Sequence, residues 1–212
     1  MHRYMKRIRM NSDDRLKMTR FGLGLISCSL AFYFLLTHSR EPVVFFASLY
    51  FLVICATDTL RNKIPNLATL SLLLVGLGHR LSVNGPAGGG LALAGLLTGL
   101  ALLIIPYLMG GMGGGDVKAL AALGALLGPA AIFQVFLLSG LIGGGIALVY
   151  LAVSDKPLER LLSWRGTLQQ MIGSNRTAGE NAAKAPQLIK FSYGPSIALG
   201  FFAFISWGGL PI

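Results

Sequence analysis

Asp58 and Asp116 are the two residues of this chain that stand where a charged side chain needs a reason. Asp116 lies in GGMGGGDVK, Gly110 to Lys118, between two strongly apolar segments. Asp58 lies in CATDTLRNKIPN, where another apolar block ends. Ionisable groups at membrane depth are costly, so such positions are functional candidates. Two carboxylates held close do not both ionise easily, and they share a proton. One then acts as general base on a water, while the other donates a hydrogen bond to a scissile carbonyl. That chemistry asks for no covalent intermediate, metal or cofactor. The neighbouring glycines would let a substrate backbone and adjacent helices come close.

Each carboxylate also has a plainer reading. Asp58 could be a solvated charge at a helix end, beside Arg61 and Lys63. Asp116 could be a helix N-terminal residue favoured by the helix dipole. Placed together on one membrane face, with a glycine cluster between the apolar blocks, the pair points to chemistry. The other acids read as solvated: Asp13 and Asp14 in the tail, Glu41 in a turn, and Asp155, Glu159 and Glu180 in a polar loop. His2, His38 and His79 fall in the tail or on the side opposite the aspartates, which argues against a histidine triad or a metal site. GGMGGGD lacks the lysine and hydroxyl of a phosphate-binding loop. Cys28 and Cys55 lie inside apolar segments and read as reduced, structural thiols. Gly143 to Gly145 read as ordinary small-residue helix packing.

The elements that must position these residues are apolar helices. Hydrophobic residues make up 54% of the 212-residue chain and charged residues 12%, about half the charge of a soluble domain. The apolar residues come in long blocks, so the expected fold is an all-α integral membrane protein, a polytopic bundle of about 6–7 transmembrane helices. Residues 1–20 form a basic tail, 21–37 a first span, and 42–212 one membrane domain carrying a polar loop at 154–192. No small-residue cleavage site follows the first apolar run, so that span reads as uncleaved. Blocks follow at Val43–Ala56, Leu67–Leu77, Leu91–Met109, Val117–Leu127, Ala131–Val153 and Pro195–Trp207. Pro65 sets a helix boundary, HRLSVNGPAGGG reads as a glycine-rich turn, and Gly128-Pro129 as a kink or stop. Pro157–Ile172 has Leu158, Leu161, Leu162, Leu168 and Ile172 at helical spacing and reads as an amphipathic surface helix.

The net charge of +10 flanks apolar blocks, so it sets topology and contacts lipid rather than nucleic acid. With the tail cytoplasmic, that side holds seven Lys and Arg in the tail, Arg61, Lys63, Lys118 and six more between 154 and 192. Only Arg40 and Arg80 fall on the other side. The bias obeys the positive-inside rule and puts Asp58 and Asp116 on the same, cytoplasmic face.

These residues also match a family pattern. Gly113-Gly114-Gly115-Asp116-Val117-Lys118 resembles the GxGDxK motif of type IV prepilin peptidases. Asp58 followed by Ile64, Pro65 and Asn66 is similar to that family's D-x-x-x-x-x-I-P-N region, and Tyr193-Gly194-Pro195 with Ile197 to Gly200 is similar to its last-helix motif. The resemblance runs from about Val43 to the C-terminus. It implies an aspartic endopeptidase of the bacterial inner membrane, multi-pass, with N-terminus and active site cytoplasmic, which removes the basic leader of prepilins or pseudopilins. Asp58 and Asp116 carry over as the catalytic pair. Gly113, Gly115, Lys118, Pro65, Asn66, Tyr193, Gly194 and Pro195 carry over as substrate-binding or motif-supporting positions. The implied partners are a pilin-like substrate and membrane lipid, with a homo-oligomer also compatible, and neither cofactor nor nucleic acid. The chain lacks the cysteine-containing N-terminal domain of the larger bifunctional members, so it resembles the small Tad/Cpa-like peptidases and N-methylation is not implied. The first span is additional to what small members often carry.

Three other readings use the same residues. A small transporter could employ the aspartates as a proton or cation relay, with glycine-broken helices, but a relay needs acids along a path. A catalytically silent assembly factor would have no need of both aspartates. Presenilin-type intramembrane proteases share GxGD, yet their partner aspartate follows tyrosine, and here Thr57 precedes Asp58.

Overall fold

The computed structural model describes residues 12–38, 40–61, 64–108, 112–153 and 193–209. The loop at 154–192, with the amphipathic helix expected at Pro157–Ile172, lies outside the described residues. Among the described residues six helices follow in order: α1 (Ser12–Thr37), α2 (Pro42–Arg61), α3 (Asn66–Leu108), α4 (Gly114–Leu127), α5 (Pro129–Val153) and α6 (Gly194–Ser206). There is no strand among the described residues. The chain therefore has the all-α membrane-bundle architecture that its apolar blocks predict. Four of these described helices are long and apolar enough to cross a membrane: α1 over Lys17–Thr37, α2 over Pro42–Leu60, the whole of α3, and α5 over Pro129–Val149.

α3 is two apolar segments in one. Its 43 residues would reach about 64 Å as a straight helix, roughly twice the hydrocarbon thickness of a bilayer. It does not run straight. Gly85 takes φ 60°, ψ −148°, a left-handed conformation that side chains disfavour. Pro86 follows, at a helix start where its missing N–H costs nothing. The contacts show that the chain folds back there. Asn66, at the start of α3, bonds Lys118, and Tyr107, near its end, lies against Gly114. Both ends of α3 thus come to the same end of α4. The glycine-rich turn expected over 79–90 is accordingly a single-residue break, because helix continues to Asn84 and resumes at Pro86.

α4 lies between the two arms of this hairpin. All its residues are buried except Gly114, Gly115 and Lys118. At 14 residues it is about 21 Å long, short of the roughly 30 Å hydrocarbon core. Small residues let the arms close on it. A Cβ on Gly95 would overlap the Gly124 carbonyl, and a Cβ on Gly99 would stand 2.6 Å from the Leu120 oxygen. Close backbone approach of this kind is how helices gain packing energy in lipid, where burial of apolar surface between helices supplies little. Gly128, at φ 85°, ends α4, and Pro129 starts α5. Arg80 donates to the carbonyls of Leu126 and Leu127, capping that end of α4 far from Asp116.

α1, α2 and α6 form the other half of the core. Phe34 stacks on Phe202 at 4.8 Å, and Phe51 meets Phe201 and Phe202 at 5.3 and 5.7 Å between ring centres. Such aromatic pairs contribute about 0.5–1.5 kcal/mol each beyond area burial, and here they pin α6 to the first two helices. Cys55 is buried and Cys28 half-buried, both as free thiols. Of the three glycines Gly143 to Gly145 only Gly143 packs closely, with Tyr193 and Ser196; Gly144 and Gly145 face open space.

Candidate functional site

Asp58 occupies the last turn of α2 and is 6% exposed. The helix runs past it to Arg61 because its first downstream breaker is the Ile64-Pro65 step. Asp116 sits in the first turn of α4, three residues after Gly113, and is 7% exposed. The Gly113 N–H donates to Asp116 Oδ2 at 3.2 Å, and the Asp116 N–H donates to the Gly113 carbonyl at 3.1 Å. The carboxylate therefore closes the start of its own helix, where the dipole favours negative charge. The plainer reading of Asp116 is thus correct as a description of local structure, and it coexists with a buried position facing Asp58.

Asp58 has its own helix N-terminus to face. Gly194 opens α6, and a Cβ built on it would stand 2.8 Å from Asp58 Oδ2. Only a bare backbone fits at that distance. The start of α6, whose free N–H groups favour anions, is therefore pressed against the Asp58 carboxylate. Tyr193 caps α6 and is 5% exposed.

The two carboxylates interact. Asp116 stands outside the four spans, at the end of the bundle. Burial first, and then the Asp58 charge, push its carboxyl up to about 7, against the lowering hydrogen bond from Gly113. Burial, followed by the Asp116 charge, pushes the Tyr193 phenol up to about 12, so its hydroxyl keeps its proton. Asp116 is thus a buried carboxyl able to carry a proton near neutral pH beside a second carboxylate.

The remaining sequence-predicted positions surround this pair. A Cβ on Gly115 would meet the Ile64 side chain at 3.3 Å. The Pro65 carbonyl receives the N–H and the hydroxyl of Thr69, both at 3.3 Å. Lys118 Nζ donates to Asn66 Oδ1 at 3.4 Å on the exposed rim. The I-P-N segment and the GGGDVK segment thus brace one another across the mouth of the α3 hairpin. The Pro195 carbonyl receives Ser27 Oγ at 3.5 Å. All ten predicted positions belong to this one end of the bundle. Among the described residues no three His, Cys, Asp or Glu side chains gather into a group able to hold a metal.

Sequence reasoning missed two neighbours. Tyr107 lies along Gly114, 3.4 Å from where a Cβ would be. Arg20 reaches from α1 to the backbone of Asp58 and Thr59. Tyr107 could have been suspected as an aromatic just before the glycine cluster. Arg20 was indistinguishable from six other basic residues of the tail.

A family model described as the type IV leader peptidase family matches residues 43–148. The match takes in α2, α3, α4 and most of α5, and so both carboxylates, while α1 and α6 lie outside it. No curated protein and no solved structure matches the chain.

Proposed function

The chain belongs to the type IV leader peptidase family, and from that premise we propose that it is a membrane aspartic endopeptidase acting on prepilin-like precursors, with Asp58 and Asp116 as its catalytic pair. The observation that carries this reading is the meeting of two buried carboxylates from separate helices, close enough for the charge of one to act on the other. Family membership supports leader peptidase activity in general. The carboxylate pair supports the aspartic mechanism.

In this mechanism Asp116 holds the shared proton and Asp58, set against the start of α6, is the base. Asp58 takes a proton from a water as that water attacks the scissile carbonyl, and Asp116 donates to the carbonyl oxygen. The tetrahedral intermediate collapses as the C–N bond breaks, the leaving amine gains a proton from Asp58 and the diol hydroxyl returns its proton to Asp116. Both carboxyls then regain their starting states. Helix N-termini at both carboxylates supply fixed dipoles for the charge that moves.

The distribution of Lys and Arg supports a site on the cytoplasmic side of the membrane. A substrate with a basic leader before an apolar helix would then present its junction at the membrane edge, where both carboxylates lie. A relay reading has less support, because the two buried acids among the described residues sit at one end of the bundle rather than along a path. The test is cleavage of co-expressed prepilins from the same cell by the wild type, Asp58→Asn and Asp116→Asn. Leader removal by the wild type alone is expected. Equal behaviour of all three on every pilin would overturn the proposal.

A further inference from the structure

The family match begins at residue 43, so α1 has no role assigned by it. One face of α1 nevertheless touches both supports of Asp58. Arg20 Nη2 donates to the Asp58 carbonyl at 2.7 Å and to the Thr59 carbonyl at 2.9 Å. One turn on, Gly24 packs so tightly on Thr59 that a Cβ would come within 2.7 Å of its Cγ2. A further turn on, the fully buried Ser27 donates to the Pro195 carbonyl at 3.5 Å. Pro195 adjoins Gly194, which presses on the Asp58 carboxylate. Residues 20, 24 and 27 share one helical face.

We propose that Arg20 is a positioning residue for Asp58: its guanidinium holds the last turn of α2, and the Arg20–Gly24–Ser27 face of α1 clamps that turn against the start of α6. The physical reason lies in the helix end. Carbonyls in the last turn run out of N–H partners within their own helix, and the negative end of the dipole favours a cation. Arg20 meets both needs through one nitrogen, Nη2, which donates to both carbonyls. It carries no part of the reaction itself, since its contacts are to backbone oxygens. Through them it sets where the Asp58 side chain points. Displacement of a catalytic group by about 1 Å costs on the order of 10²-fold in rate.

This inference rests on the peptidase reading, and the experiment separates the two. The full chain is purified in detergent as wild type, Arg20→Met and Arg20→Lys. For each, kcat and KM are measured on a prepilin-type substrate, with the thermal unfolding midpoint alongside. Arg20→Met is expected to lower kcat about 10- to 100-fold, with KM within about twofold and the unfolding midpoint little changed. Arg20→Lys, whose ammonium can still reach a carbonyl, is expected to recover part of the loss. Unchanged kcat in a folded Arg20→Met variant overturns the inference while leaving the peptidase reading intact. So does a fall in kcat that only tracks loss of folded protein. A wild type that cleaves nothing overturns the peptidase reading, and this one with it. If Arg20→Met does not fold, Gly24→Ala decides. It should lower kcat by wedging α1 off Thr59, and Thr59→Gly in the same chain should restore it; absence of both effects overturns the clamp.

Discussion

Replacement of Gly194 by alanine isolates the placement of Asp58 from everything else in the bundle. A Cβ at Gly194 would lie 2.8 Å from Asp58 Oδ2, 3.5 Å from its Cγ and 3.6 Å from its Cβ, whereas ordinary contact begins at 3.4 Å. The carboxylate must therefore retreat by about 0.6 Å, because the start of α6 is held by buried neighbours on its other sides. Misplacement on that scale costs roughly 10- to 100-fold in rate, or about 1.4–2.7 kcal/mol of barrier. The fold should behave differently. Gly194 is a helical residue and not one of the positive-φ glycines, and at such a position a change from glycine to alanine stabilises by about 0.4–1 kcal/mol when nothing clashes. Cleavage and unfolding midpoint should thus part company: kcat falls, and the midpoint falls little or not at all. Gly140→Ala is the control, since a Cβ there meets nothing within 4 Å, and it should leave both quantities unchanged. A Gly194→Ala enzyme with wild-type kcat would refute the claim that the Asp58 position matters to the reaction.

Four further outcomes follow from the same geometry. Asp58→Asn and Asp116→Asn should each lower the rate of leader removal by roughly 10²–10⁴-fold, read as the ratio of cut to uncut pilin on a gel; a single variant that cleaves normally would end the two-carboxylate mechanism. Cleavage should decline as pH rises through about 7, where Asp116 loses its proton. Stability should move the same way, because a carboxyl raised in the folded state contributes stability that is full below its ordinary range near 3.9 and lost as pH rises through about 7; in Asp116→Asn this part of the slope in unfolding midpoint should vanish. Gly124→Ala should place a methyl in the Gly95 carbonyl and cost about 1–3 kcal/mol by overpacking. Thermal unfolding in detergent reads that loss, and an unchanged midpoint would mean the α3 hairpin does not grip α4 as described.

Much of this protein was legible before any coordinates. Apolar blocks marked the helices because a bilayer leaves backbone groups no partner outside a helix. Breakers marked their ends, at Pro65 and at Gly128-Pro129. The asymmetry of Lys and Arg put Asp58 and Asp116 on one side, and the helix order of the structure does the same. Other features were not legible. The turn of α3 reads as a dozen glycine-rich residues, yet it is Gly85 alone, since helix in lipid tolerates residues that would end it in water. No periodicity revealed which face of α1 would meet Asp58, or that Gly194 would touch its carboxylate. A helix that is apolar all round carries no signal for its rotation about its own axis.

Which residues could do chemistry, how many apolar segments the chain has and at which ends the acids lie are all readable from length, charge and breakers, because these are local properties. It took the packed helices to show that the Asp58 charge acts on Asp116, that α6 presses on one carboxylate while the start of α4 closes on the other, and that Arg20 donates to the Asp58 and Thr59 carbonyls. Those relations depend on how the helices rotate and settle against each other, and that is set by close glycine contacts between segments far apart in the chain.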